Sequence, residues 1–129
     1  MIYILDTHAI VWFLENDPRL GQSASGVFYN PHCRLGVPSI VYCELRHLAK
    51  KKKMEKSFEK ISEYMKSDPR FELLPIDEGV VDCLEGQLDI HDDIIVATAL
   101  SFQKQHQVSV EIVTCDQKIA GSRKVKIVW

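Results

Sequence analysis

The chain has 129 residues, of which 46% are hydrophobic and 26% are charged, and its formal net charge is −2. This length and composition suit one globular domain that buries its own core without disulfides or a structural metal. No apolar run approaches the roughly 20 residues needed to cross a bilayer, and the N-terminus has no basic leader with a small-residue cleavage site. We therefore expect a single domain over residues 1–129, located in the cytoplasm and without a membrane partner.

Charge is distributed unevenly along the chain. Residues 46–70 contain nine basic and four acidic side chains and so carry +5, whereas residues 71–129 carry −5. The near-neutral total argues against indiscriminate binding of nucleic acid, but the basic segment predicts a locally positive surface. The four cysteines are widely spaced and form no CxxC pair, so we expect reduced, mostly buried thiols and no zinc site.

The first segment, Ile2-Tyr3-Ile4-Leu5, is an unbroken apolar run that predicts a strand buried on both faces, as in a parallel sheet. Asp6 and Thr7 follow it, and a helical apolar pattern begins at once. A carboxylate therefore stands where a central strand passes into a helix, and ligands bind at such places in open α/β sheets. Asp is also a preferred N-cap residue, so this position alone leaves simple helix capping as the commoner explanation.

The following segments alternate between helical and extended patterns. We expect a short helix at 22–30, a strand at 34–37, helices from 39 to about 53 and at 54–66, and a strand at 71–75. Ser39 is the expected N-cap of the third helix. Glu44 lies at the border of that helix's apolar stripe, beside Leu45. A plain surface glutamate is the alternative, since Glu is rarely buried without a partner.

The last third of the chain carries two more acidic positions of interest. Asp77 is expected to cap a helix that ends at about residue 87, and a buried helix follows Asp92 and Asp93. Because successive helical residues point about 100° apart, these two cannot face the same crevice. Asp92 shares its direction with the inner stripe, which leaves Asp93 as a residue interacting with the helix dipole. Residues 111–116 repeat the opening pattern of a strand ending in Asp116, and residues 125–129 predict an edge strand.

Strands that alternate with helices predict an α/β fold with three layers, in which helices cover both faces of a central parallel sheet of four to five strands. Two strand ends carry Asp6 and Asp116, and two helices carry Glu44 and Asp92, so all four acids can lie at one edge of the sheet. Gathered there, the carboxylates would repel one another, and a hard cation would relieve the repulsion. Mg²⁺ and Mn²⁺ prefer oxygen ligands, and a metal-activated water attacking a phosphodiester is the chemistry that matches such a site.

These residues resemble the PIN-domain family and, more narrowly, the small VapC-type toxins. The motifs that carry the resemblance are Leu5-Asp6-Thr7, Glu44, the helix segment from His91 to Ala99, and Val113-Thr114-Cys115-Asp116. The resemblance covers essentially the whole chain and implies a PIN-like fold and a metal-dependent endoribonuclease. It implies that Mg²⁺ or Mn²⁺ is held by Asp6, Glu44, Asp92 and Asp116, with Thr114 supporting the acidic cluster.

The resemblance also implies an RNA substrate, a homodimer, and a small antitoxin protein that blocks the site. The family commonly has Arg after the motif acid, where this chain has Asp93. We expect this substitution to add negative charge near the mouth of the site, which would weaken RNA binding or favour a second metal. A further hypothesis is that a run of four lysines contacts the RNA backbone: Lys50, Lys51, Lys52 and Lys53. The alternative for that run is a solvated helix end.

Two other functions remain open. One is a catalytically weak or inactive PIN-like protein that serves only in binding. The other is an aspartate-based phosphotransfer domain, but receiver-type proteins need an acidic pair and a later Lys, and dehalogenase-type proteins need Asp-x-Asp, whereas only Asp6 follows this first strand. His8, His91, Trp12 and Trp129 are expected to be structural.

Overall fold

A computed structural model describes all 129 residues. Five strands form one sheet, and they are β1 (Ile2–Leu5), β2 (Arg34–Pro38), β3 (Phe71–Leu74), β4 (Val110–Val113) and β5 (Lys126–Val128). Seven helices accompany them, and they are α1 (Thr7–Leu14), α2 (Gln22–Tyr29), α3 (Ser39–Lys50), α4 (Phe58–Ser67), α5 (Glu78–Asp82), α6 (Ile90–His106) and α7 (Gln117–Ser122). None of the helices combines the length and apolar character that crossing a membrane requires.

The strands lie in the order β3-β2-β1-β4-β5, and every neighbouring pair is parallel. The chain first moves outward from β1 to β3, then crosses to the other side of β1 and continues to β5. Because parallel crossovers are right-handed, this reversal places the helices before β3 and those after it on opposite faces of the sheet. The predicted three-layer fold with a parallel sheet is confirmed, with five strands. The reversal lies between β1 and β4, where Leu5 pairs with Val113.

The central position of β1 explains its composition. Ile2, Ile4 and Leu5 are fully buried, because helices cover both faces of the strand between β2 and β4. In β2, Gly36 allows close packing of its neighbours, since a Cβ atom there would lie 2.8 Å from the terminal methyl carbons of Ile4 and Leu74. A strand buried on both sides must be apolar throughout, so a polar residue can first appear where β1 ends.

Several predicted boundaries are wrong. Ser39 is the first residue of α3 and not its N-cap, which is Pro38; the Ser39 hydroxyl instead donates to the carbonyl of Leu74, 2.9 Å away. Helix α3 ends at Lys50 because Lys52 adopts a left-handed φ of 56°.

Two helices are shorter than the sequence pattern predicts. Helix α4 begins four residues late, at Phe58, because Ser57 supplies the cap by accepting a hydrogen bond from the Lys60 amide. Helix α5 ends at Asp82 and not near residue 87, because the chain turns through Gly86 with a φ of 73°.

The expectation of mostly buried thiols is also wrong. All four cysteines are free, and none is fully buried: Cys33 and Cys83 are partly exposed, and Cys43 and Cys115 are exposed. Cys43 points away from the buried face of α3, and Cys115 lies in the connection between β4 and α7, so neither position is covered by a neighbouring element.

Candidate active site at the switch point of the sheet

Asp6 occupies the end of β1 and both of its carboxylate oxygens have partners. It is the N-cap of α1, and its Oδ1 accepts a hydrogen bond of 2.7 Å from the Thr7 amide. Its Oδ2 accepts a bond of 2.6 Å from the Thr114 hydroxyl, which follows β4. Capping and a place in the acidic cluster are therefore not alternatives, because the same carboxylate does both.

Thr114 connects the two strand ends. The residue is 1% exposed, and its Oγ1 donates to Asp6 and accepts a bond of 3.0 Å from the Asp116 amide. Asp116 in turn caps α7, because its Oδ1 accepts bonds from the amides of Lys118 and Ile119. The second oxygen of Asp116 has no hydrogen bond within the chain. One buried hydroxyl thus fixes the positions of both strand-end aspartates.

Glu44 reaches the same edge from α3 and is held by two partners. Its Oε2 accepts a bond of 2.7 Å from the hydroxyl of Thr7 and contacts Nε2 of His91. The other ring nitrogen of His91 lies 3.5 Å from Oδ1 of Asp92. The contact between the His91 ring and the Glu44 carboxylate raises the pKa of His91 to about 9 and lowers the pKa of Glu44 below its ordinary value. At neutral pH His91 is therefore a cation placed between two carboxylates.

Asp92 lies in the first turn of α6, and its side chain is 17% exposed. Burial raises the pKa of Asp92, and the negative charges of Asp116 and Asp6 raise it further. A carboxylate responds in this way only to charges close to it. Asp6, Asp92 and Asp116 therefore form one electrostatically coupled group, although they are far apart in the sequence.

Asp93 does not add charge to the mouth of this site, so that expectation from the sequence is wrong. It is 7% exposed, and its Oδ2 accepts a bond of 2.9 Å from the Gly86 amide in the loop before α6. The reason is helical geometry, because a turn of about 100° carries Asp93 away from the side on which Asp92 lies. Its carboxylate fixes the α5–α6 loop and retains a favourable place near the N-terminus of α6.

The acidic residues fit a hard divalent cation by chemistry but do not form a closed ligand set. No three acidic, histidine or cysteine side chains lie in a metal-holding arrangement. The contacts explain this, since Glu44 is turned towards Thr7 and His91, and both oxygens of Asp6 already accept hydrogen bonds. Mg²⁺ is commonly bound by one or two carboxylates and keeps several waters. The oxygen donors therefore suit an open, hydrated site.

The structure brings into the site several residues that were expected from the sequence to be structural. His91 contacts two of the acids. His8, Trp12 and Trp129 line a pocket of about 160 Å³ that also contains Asp6 and Asp116. The available signal for His91 was its position directly before Asp92 at the start of a helix. No sequence signal placed Trp129 here, because its contact with α1 depends on the position of β5 in the sheet.

The lysine run lies outside the acidic cluster. All four of its side chains are exposed and none forms an ion pair: Lys50, Lys51, Lys52 and Lys53. Lys50 lies six positions after Glu44 along α3, which corresponds to a rise of about 9 Å. The run is thus a positive surface at the far end of the helix that carries Glu44.

The fold and its acidic edge define a parallel α/β protein with a candidate site at the point where the strand order reverses, the usual location for ligands in this architecture. The sequence matches the model of the PIN domain over residues 3–122, and the chain belongs to the PIN-domain family. PIN domains are generally nucleases that use divalent metals. No curated protein sequence matches the chain.

Solved structures show the same fold. VapBC2 from Rickettsia felis, bound to a promoter DNA fragment, matches with a TM-score of 0.71 and 18% identity, covering 99% of this chain and 98% of that chain. VapBC-1 from nontypeable Haemophilus influenzae matches with a TM-score of 0.65 and 23% identity over 99% and 97% of the two chains. A toxin-antitoxin complex from Klebsiella pneumoniae matches with a TM-score of 0.61 and 16% identity over 98% and 96%.

Proposed function

We propose that this PIN-domain protein is a metal-dependent endoribonuclease and the toxin of a toxin-antitoxin pair, acting in the cytoplasm. The observation that carries the proposal is the gathering of acids at the switch point: the Thr114 hydroxyl joins Asp6 to the Asp116 amide, and the pKa of Asp92 is raised by burial and by the charges of these two aspartates. Such a group binds a divalent cation more readily than a single carboxylate does, because the cation relieves the repulsion. Membership of a family of nucleases makes phosphodiester hydrolysis the matching reaction.

We assign the binding of Mg²⁺ or Mn²⁺ to Asp6, Asp92 and Asp116, directly or through water, with Glu44 as a further ligand or as the group that orients the attacking water. When bound, the metal supplies a nucleophilic water and balances the charge that develops on the phosphate. Thr114 holds two of the ligands in place through the hydrogen bonds described above.

His91 and Thr7 control the position of Glu44. The lowered pKa of Glu44 makes this carboxylate a weaker base than a free glutamate, so it suits holding a ligand or orienting water better than removing a proton. The positive charge of His91 offsets part of the negative charge of the cluster before a metal binds. Glu44 therefore has two sets of partners, those seen here and a hydrated metal, and we propose that it exchanges one for the other.

We also propose a small antitoxin protein as partner and a homodimer as the working form. The basis for the partner is the fold shared with chains of VapBC structures, one of which is described as a toxin-antitoxin complex. Light scattering on the purified chain tests the dimer, and a mass of about 15 kDa, that of one chain, would contradict it. For the RNA path, we propose that residues 50–53 contact the phosphate backbone, since they are exposed and unpaired.

The direct test is cleavage of a structured RNA by protein purified free of any partner. We expect cleavage with Mn²⁺, none with EDTA, and none with Asp6→Asn. Glu63→Gln is the matched control, because it makes the same kind of change in an exposed side chain of α4 and should cleave like the wild type.

Absence of cleavage by protein that binds both Mn²⁺ and RNA would favour the alternative of a catalytically inactive binding protein. The observation that favours this alternative is that the Glu44 carboxylate contacts Thr7 and His91 and not a common metal position. Transfer of phosphate to Asp6 from a small phosphodonor would instead indicate the phosphotransfer function.

A further inference from the structure

A pocket with aromatic walls adjoins the acidic cluster. Its volume is about 160 Å³, and its lining includes Asp6 and Asp116 together with His8, Trp12 and Trp129. Two of the residues assigned to the metal, Asp6 and Asp116, therefore share one continuous space with the aromatic side chains. Trp12 and Trp129 pack against the core, and nothing in the proposed chemistry uses the surface that they present to the pocket.

Packing fixes the aromatic part of the pocket. The rings of Trp12 and Trp129 meet edge to face, with centroids 5.6 Å apart and an angle of 68°. The ring of His8 lies 5.5 Å from Trp12, and the guanidinium carbon of Arg19 lies 4.6 Å from the Trp12 ring centroid. Gly21 leaves room for Trp129, because a Cβ atom at Gly21 would lie 2.5 Å from the carbonyl carbon of Trp129.

The chemistry of the lining favours a flat, neutral ligand. An RNA phosphate placed deep in the pocket would meet the negative charges of Asp6 and Asp116 at close range. A nucleobase carries no charge and has a π face that stacks on tryptophan, which is how proteins commonly hold unpaired bases of single-stranded RNA. Its ring and exocyclic N–H groups can also donate to the free oxygen of Asp116.

We propose that the pocket lined by Trp12 and Trp129 binds one unstacked base of an RNA strand, next to the phosphate that lies at the acidic cluster. This inference rests on the proposed function for the choice of RNA as ligand. It adds a recognition site: the protein holds a base on an aromatic surface, so an unpaired segment is preferred over a duplex, in which the bases are already stacked.

Intrinsic fluorescence tests the proposal without any cleavage. The chain has two tryptophans, and both line the pocket, so the whole tryptophan signal reports on this site. The titration uses a short single-stranded RNA of five nucleotides in EDTA, against the same strand with abasic positions. We expect saturable quenching by the complete strand and much weaker quenching by the abasic strand, which keeps the phosphates and lacks the bases.

Variants of Trp129 separate stacking from simple burial. We expect Trp129→Leu, which is apolar but has no π face, to weaken binding of the complete strand by about 5- to 140-fold, the range for one stacked base. Trp129→Phe retains a ring and should lose less than about threefold. Tyr29→Leu removes an exposed aromatic side chain outside the pocket and should bind like the wild type. Circular dichroism verifies that each variant is folded; if Trp129→Leu is not, His8→Ala takes its place with a smaller loss expected.

Two results would overturn the proposal. Equal quenching by the complete and abasic strands would show that phosphates alone are bound. Quenching by neither strand would show that the pocket does not bind RNA, and a side chain of a protein partner would then be its occupant. The outcome is independent of catalysis, because it is measured in EDTA. If Mn²⁺ gives no cleavage but base-dependent quenching persists, the proposed function fails and the base pocket stands. If RNA is cleaved and Trp129→Leu leaves KM unchanged, the base pocket fails and the nuclease stands.

Discussion

The hydroxyl of Thr114 offers a sharp test of how the acidic edge is assembled. Thr114→Val keeps the shape of the side chain and removes the bond to Asp6 and the bond from the Asp116 amide. A hydrogen bond to a charged group contributes about 1.5–3 kcal/mol and an ordinary one about 1 kcal/mol. Because Asp6 is partly exposed, water can replace part of this contribution. We therefore expect Thr114→Val to lower the free energy of unfolding by about 2–3 kcal/mol.

Thr114→Ser is the matched control, because it keeps the hydroxyl and loses one methyl group. Burial of a methyl group contributes about 0.8 kcal/mol, so this variant should lose about 1 kcal/mol. Urea denaturation followed by circular dichroism measures both values. For a chain of this size, each kcal/mol corresponds to roughly 3–5 °C in Tm, so thermal melts should show a fall of about 6–15 °C for the valine variant.

A stability of Thr114→Val within about 0.5 kcal/mol of the wild type, the ordinary range for a surface change, would show that the hydroxyl does not hold the two aspartates. An equal loss in Thr114→Ser and Thr114→Val would show that the methyl group and not the hydroxyl is responsible.

Further predictions concern the core, the pH dependence and the RNA surface. Gly36→Ala should destabilise the protein by about 1–3 kcal/mol through overpacking in the sheet. Gly26→Ala should stabilise α2 by up to about 1 kcal/mol, because a Cβ atom there meets no atom within 4 Å. Urea denaturation measures both changes. The hydrogen bonds from Arg70 hold the pKa of Asp68 below its ordinary 3.8. The ion pair therefore stabilises the fold fully above pH 3.8, and this contribution is lost as the pH falls through the lower pKa of the folded state. In acid denaturation, the difference in stability between wild type and Asp68→Asn should shrink over that range. Replacing the lysines at 50–53 by Gln should weaken RNA binding and reduce the slope of log K against log salt by about 0.7 for each phosphate that is no longer neutralised. An unchanged slope would show that these lysines are only a solvated helix end.

The sheet could be predicted from the sequence because its central strands are buried on both faces. Such strands are mostly apolar, so β1 is visible as an apolar run that ends abruptly in Asp6, and β4, apart from Glu111, as a run that ends in Thr114. Because all the strands are parallel, the polar residues that follow them lie at the same edge of the sheet. The helix ends were harder to predict, because capping at Ser57 and left-handed turns at Lys52 and Gly86 depend on local backbone choices that periodicity does not reveal.

The candidate site could be predicted only in part, for a related reason. The acids are visible in the sequence, since Asp and Glu in apolar surroundings are conspicuous. The sequence does not show that His91 shares the task of offsetting their charge, because a histidine beside an aspartate is common on helix surfaces. The prediction that Asp93 adds charge at the mouth of the site is wrong, because its carboxylate lies against the loop before α6 and accepts a bond from the Gly86 amide, a partner that no side-chain pattern indicates.

If carboxylates from separate segments act together on a divalent cation, calorimetric titration with Mn²⁺ should detect it. We expect saturable binding by the wild type, with a matching rise in Tm, and loss of both in Asp92→Asn. Failure of the wild type to bind Mn²⁺ at millimolar concentration, or unchanged binding by Asp92→Asn, would contradict it.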